Sequence, residues 1–182
     1  MLAKLMQSHR ENLAMKPATL QAPKLTGKHQ VSASVIINAS QRQVWELLED
    51  FYDVYTWVPT VKKSHSLNDK ELGIGAGRFC ELDGFGSIEE YITAWYPGVG
   101  FVYRITPLGP LDKSHSSWWL TQMPDGRTEL AVALSYNIRF GLFGKVMHKL
   151  VMRKKLEESL PGTLLAVKHK VESNAVMTSS AA

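Results

Sequence analysis

The sequence predicts an α+β fold: a curved antiparallel sheet of about seven strands wrapped round a long C-terminal helix. Three observations point there. Residues 29–37 and the stretch from about 61 to 139 alternate apolar and polar side chains between turn-forming clusters, the period of half-buried strands. Residues from about 143 to 172 instead carry an apolar stripe at helical spacing. A short helical insertion alone separates the first strand from the others.

The elements follow in chain order. Val31, Ala33, Val35 and Ile37 alternate with Gln30, Ser32, Ser34 and Ile36, so a strand opens at His29. Ser40-Gln41-Arg42-Gln43 then matches a capping box, with a hydroxyl at the N-cap and a glutamine three residues on. Val44, Leu47, Leu48 and Phe51 follow at i, i+3, i+4 and i+7, an amphipathic helix. A second short helical piece, about 52–57, ends at Trp57-Val58-Pro59. Strands are expected near 61–68, 77–83, 86–96, 99–106, 115–123 and 128–139. Gly73 to Gly77, Asp83-Gly84, Pro97-Gly98, Pro107 to Pro110 and Pro124-Asp125-Gly126 supply the turns. The final helix runs from near Phe143 to about Glu172, with exposed Arg153/Glu157 and Lys154/Glu158 pairs. Pro161-Gly162 predicts a kink or a new start within it. A sheet curved round one helix cannot close tightly along its whole length, and the two short helices would plug one end. An internal cavity is expected.

The chain has 182 residues, 45% hydrophobic and 21% charged, enough for one core without disulfides or a structural metal. Its net charge of +4 first suggests a nucleic-acid partner. Residues 1–28, however, hold Lys4, Arg10, Lys16, Lys24 and Lys28 against Glu11, so they account for the whole excess and the remainder is neutral. No nucleic acid is expected. The predicted organisation is a basic, partly ordered extension over 1–28, a ligand-binding domain over 29–172 and a flexible tail over 173–182. Leu2, Leu5, Met6 and Leu13 share a helical face, so the alternative for the extension is a short amphipathic helix in weak peripheral contact with a membrane or over a pocket mouth. Cys80 is the single cysteine, and neither a secretory h-region nor an apolar run of membrane-spanning length is found. These features point to the cytoplasm.

Several motifs fall away on inspection. Gly73-x-Gly75-x-Gly77 precedes a strand and not a helix N-terminus, so it reads as a turn and not a phosphate loop. His9, His29, His65, His115, His148 and His169 form no metal-ligand spacing, and His148 and His169 on a lysine-rich helix are expected to face solvent. No GxSxG is present, and Cys80 in mid-strand reads as a packed thiol.

The order of elements, the stretch Asn38-Ala-Ser-Gln-Arg-Gln-Val-Trp45 leading to Trp57-Val-Pro59, the glycine turn followed by Arg78, and Glu89-Glu-Tyr-Ile-Thr-Ala-Trp-Tyr-Pro97 resemble the SRPBCC (START/birch-pollen-allergen-like) superfamily, its polyketide cyclase/dehydrase branch above all. The resemblance spans residues 29–172. It implies a helix-grip fold with a hydrophobic cavity, and cargo of polyketide, steroid or lipid type. Members include aromatase/cyclases and non-catalytic carriers, so both an enzyme and a carrier or sensor are implied, without a cofactor.

Within such a cavity, Trp45, Phe51, Tyr55, Trp57, Phe101, Trp118, Tyr136, Leu160 and Leu164 are the candidate ligand-binding residues, with core packing as the alternative for many. Arg78 shares a face with Cys80 and Leu82, Glu90 with Ile88 and Ile92, and Tyr103 with Phe101 and Ile105. If the chain is a cyclase, Glu90 or His115 would act as base, and Arg78 and Tyr103 would hold the enolate oxygen. The Trp118-Trp119 pair leaves the facing of the His115 strand open.

Overall fold

The computed structural model describes residues 20–180, with side chains to residue 176. The reading of residues 1–19 as part of a basic extension lies outside this range. The chain runs β1 (His29–Ile37), α1 (Gln41–Leu48), a 3-10 turn (Val54–Thr56), then β2 (Val61–Ser66), β3 (Gly77–Leu82), β4 (Gly86–Tyr96), β5 (Gly100–Ile105), β6 (Leu111–Gln122) and β7 (Thr128–Ile138). The helical end comprises α2 (Gly141–Met147), a π turn (His148–Met152) and α3 (Arg153–Ser180). No described helix is long and apolar enough to cross a membrane.

All seven strands form one antiparallel sheet in the order β1-β7-β6-β5-β4-β3-β2. The order explains the helical insertion, because β1 and β2 are neighbours in sequence but lie at opposite edges. Register shifts in β2, β4 and β6 mark bulges, and such bulges bend a sheet and increase its twist. The bulge in β6 lies between Asp112 and His115, where Lys113 adopts φ 47°, and the strand starts four residues before the expected point. This is the helix-grip fold that the sequence predicts.

The capping box forms as expected. The Ser40 side chain accepts from the Gln43 amide, and Gln43 Oε1 accepts from the Ser40 amide at 2.9 Å. Val44, Trp45 and Leu48 of α1 are buried in the main core beside Phe51, Val54 and Val58, closing one end of the sheet. Leu164, Val167 and Val171 of α3 pack into the same core. Glu172 Oε1 accepts the Asn38 amide at 2.8 Å, and Lys168 Nζ donates to the Ile36 carbonyl at 2.6 Å, which ties α3 to the end of β1.

Two helical expectations are corrected. Pro161 lies inside α3, which runs through it without a break to Ser180. A proline removes one i→i−4 bond, and the buried contacts of Leu164, Val167 and Val171 hold the helix across that gap. The irregularity occurs instead at the π turn, where no proline or glycine announces it. His148, expected in solvent, is buried within that turn, and its Nε2 lies 2.8 Å from the Tyr136 hydroxyl. His169 is exposed.

Candidate functional site

The concave face of the sheet is assembled by register. Arg78 of β3 stands opposite Glu90 of β4, Tyr103 of β5 opposite Ser116 of β6, and Phe101 opposite Trp118. These inward rows, the 3-10 turn region and α3 line a partly open cavity of about 180 Å³. Its apolar wall includes Val31, Val61, Leu108, Leu134, Leu156 and Leu160. The polar groups on it include Arg78, Glu90, Tyr103, Ser114, Ser116 and Thr163.

Arg78 and Glu90 form an ion pair, Nε to Oε2 at 2.5 Å, with both side chains 6% exposed. Nη1 of Arg78 also donates to the Phe51 carbonyl at 2.5 Å, and its guanidinium lies 4.0 Å from the Phe51 ring centroid. Burial works to lower the Arg78 pKa, but Glu90, Tyr103 and Cys80 beside it more than offset this and raise it above the ordinary value. Burial first, and Glu90 second, push the Tyr103 phenol far above its usual range, so it remains a neutral hydroxyl. Trp118 Nε1 donates to that hydroxyl at 3.1 Å, which fixes the direction in which the phenol can itself donate. Cys80 Sγ lies 3.7 Å from Glu90 Oε2, and burial followed by Glu90 pushes the thiol up to about 12. A thiol held neutral is a poor nucleophile.

The structure brings Arg78, Glu90 and Tyr103 together at the cavity and leaves His115 out. In β6, Ser114, Ser116 and Trp118 line the cavity, so the intervening His115 lies on the other face, its Nδ1 3.2 Å from the Lys113 carbonyl. Trp118 and Leu160 are on the cavity wall. The other aromatic candidates pack beside it. Phe101 stacks near Trp118 at 6.2 Å and Tyr103 at 6.0 Å, Phe51 meets Phe101 edge-on, and Trp45 contacts Trp95 and Phe101. Trp57 is buried edge-on to Trp118, and Leu164 is in the core. Tyr136 is fully buried with His148 and His29 in a smaller cluster, and Tyr55 is 47% exposed. Sequence reasoning overlooked Ser114 and Ser116. The signal was present in the alternation Ser114, Ser116, Trp118, Leu120, but two serines look like an outer face until the pairing is known.

Among the described residues, no three metal-ligating side chains come together. Residues 28–172 match the family profile described as polyketide cyclase/dehydrase and lipid transport. No curated protein matches the sequence. Solved structures share its fold. A Thermus thermophilus protein, TTHA0849, is 17% identical with a TM-score of 0.65, over 80% of this chain and 99% of that one. The Zhui aromatase/cyclase of Streptomyces sp. R1128 is 18% identical with a TM-score of 0.64, over 81% and 95%. A Thermobifida fusca protein solved by NMR is 16% identical with a TM-score of 0.62, over 78% and 92%. At these identities the likeness is one of fold.

Proposed function

The chain belongs to the polyketide cyclase/dehydrase and lipid transport family, and from that premise we propose that its cavity binds a compact hydrophobic molecule through one carbonyl or hydroxyl oxygen. The observation that carries this reading is a buried Arg78–Glu90 ion pair on a mainly apolar wall. Charges removed from water are retained where they serve something beyond packing, or where packing would cost more without them. The bonds to Glu90 and Phe51 use two of the five N–H groups that a guanidinium carries, so Arg78 has donors for a ligand oxygen. The neutral Tyr103 hydroxyl supplies a second. Pockets for drug-sized ligands run to roughly 300–1,000 Å³, so a cavity of about 180 Å³ suits a compact molecule better than a long acyl chain.

The same groups suit aldol closure and dehydration. Glu90 would take an α-proton from a keto substrate, and Arg78 and Tyr103 would stabilise the enolate oxygen as the new carbon–carbon bond forms at a second carbonyl. Protonated Glu90 would return its proton to the alkoxide of the closed ring, and loss of the resulting β-hydroxyl as water, with a second α-proton, would leave a carbon–carbon double bond in it. The second reading is a carrier without chemistry, and the tight engagement of Glu90 by Arg78 favours it, because the carboxylate is already occupied.

Native mass spectrometry of the purified protein, followed by incubation with small polyketides and sterols, separates these readings. Retention of a hydrophobic ligand is expected, with affinity lowered about tenfold by Tyr103→Phe, the loss of one hydrogen bond. A product lighter by one water identifies the cyclase, and a ligand returned unchanged identifies the carrier. Absence of uptake by the wild-type protein would overturn the binding proposal. Turnover unchanged in Tyr103→Phe would remove this residue from the chemistry.

A further inference from the structure

Half of the exposed large hydrophobic residues of the described chain lie in the segment that joins the sheet to α3. Gly144, His148 and Met152 are its buried positions, spaced four residues apart, so the segment touches the domain along a single line. The π turn, which takes more than 3.6 residues per turn, keeps that four-residue spacing on one side. Gly144 is required at the closest approach, where an added Cβ would strike the Arg139 carbonyl. The rest of the segment faces outward. Leu142, Phe143, Val146, Met147, Leu150 and Val151 are all exposed, with Leu142 at 79%, Phe143 at 69% and Leu150 at 70%. Phe140, held at φ 68° in a conformation that non-glycine residues rarely adopt, adds a ring that is 58% exposed.

Charge identifies the occupant of this surface. Residues 130–156 contain no aspartate or glutamate, but they contain Arg139, Lys145, Lys149, Arg153, Lys154 and Lys155. Lys145 and Lys149 are four residues apart among the apolar side chains and form no ion pair among the described residues. A second copy docked about a two-fold axis would bring this cationic surface against itself. Residues 1–19 are also net basic and would be repelled. A surface with negative charges above an apolar interior satisfies both halves of the pattern. We infer that residues 140–151 dock on an anionic lipid bilayer, the large apolar side chains entering the acyl boundary while the lysines reach the phosphate layer.

The position gives the docking a use. Arg139 donates its amide to the Pro110 carbonyl at 2.9 Å and its Nε to the Gly109 carbonyl at 2.8 Å. Leu108 and Leu111, at either end of that loop, line the cavity, and Met152 packs with Leu111. A bilayer seated on the patch therefore lies beside the cavity wall, where apolar cargo could be exchanged without crossing water. The docking itself does not depend on the cargo proposed above.

Vesicle flotation with the full chain tests it, comparing phosphatidylcholine alone with phosphatidylcholine containing phosphatidylserine. The wild-type protein is expected to float with the phosphatidylserine vesicles, less with the neutral ones, and progressively less as salt screens the attraction. The combined variant Leu142→Glu, Phe143→Glu, Leu150→Glu should bind about tenfold or more weakly with an unchanged melting temperature, since all three side chains are exposed. Lys145→Glu with Lys149→Glu should lose the preference for phosphatidylserine. Failure of the wild-type protein to float with phosphatidylserine vesicles overturns the proposal. So does binding that survives the apolar variant but is abolished by Lys4→Glu, Arg10→Glu and Lys16→Glu. A patch-dependent dimer in light scattering, or a patch-dependent acidic protein partner, without vesicle binding would likewise replace it.

Discussion

Arg78 and Glu90 are the charges that the fold takes out of water as a pair, and their energetics follow from that burial. Removing one partner leaves the other without compensation, so Arg78→Ala should cost about 3–5 kcal/mol in denaturant unfolding. Replacing both by apolar residues of similar volume, Arg78→Met with Glu90→Leu, removes the desolvation penalty together with the attraction. That double variant should lie within about 1 kcal/mol of the wild type or above it. Such an outcome would show that the pair is not retained for stability, and the double variant then becomes the appropriate ligand-free control. A loss as large as that of Arg78→Ala would instead make the pair structural. Arg78, Glu90 and Tyr103 were legible as inward residues because each shares strand parity with apolar neighbours. His115 was not, because the two tryptophans after it satisfy either facing. Only the pairing of Trp118 with Phe101 decides between them.

The helical end of the chain shows how an element departs from its local pattern. Burial first, then His29 and Arg153, lower the His148 pKa, while Glu157 opposes them weakly, and the Tyr136 hydroxyl faces the same ring. The folded state thus binds fewer protons than the unfolded chain at mildly acidic pH. The stability contributed by neutral His148 is complete above its ordinary pKa of about 6.5 and is lost as the pH falls through the lower, folded value. Melting temperatures should therefore fall on acidification, and His148→Gln, which cannot take up the proton, should fall less steeply. An equal acid loss in the variant would assign the effect to other groups. In the sequence, this segment and α3 form one helical run with a breaker at Pro161. The π turn arises because the buried row Gly144, His148, Met152 must stay on the sheet side, a tertiary requirement without a sequence signature.

At the scale of the molecule, the cavity is either a binding site or a packing defect, and filling it distinguishes the two. Ser159 and Thr163 of α3 line it, and their hydroxyls bond to carbonyls of their own helix, Leu156 at 3.4 Å and Ser159 at 3.1 Å. Ser159→Leu with Thr163→Leu therefore leaves no partner side chain unsatisfied. Stability should hold or rise by about 1 kcal/mol, while ligand retention should disappear. Full retention of ligand by the filled variant would place binding elsewhere.

The sequence by itself determined the element order, the antiparallel sheet and the capping box, because each is written in local periods of two or 3.6 residues and in turn chemistry, and its family resemblance implied the helix-grip class. It also located the +4 charge in the first 28 residues. Local periods do not state which face of a two-sided strand meets the helix, how α2 is turned against the sheet, or whether buried packing outweighs a proline. Those depend on long-range register and on the one line along which a segment touches the domain. The tertiary structure alone therefore decided that two serines join Arg78, Glu90 and Tyr103 at the cavity, that His115 lies outside it, and that a basic, apolar segment faces solvent beside its wall.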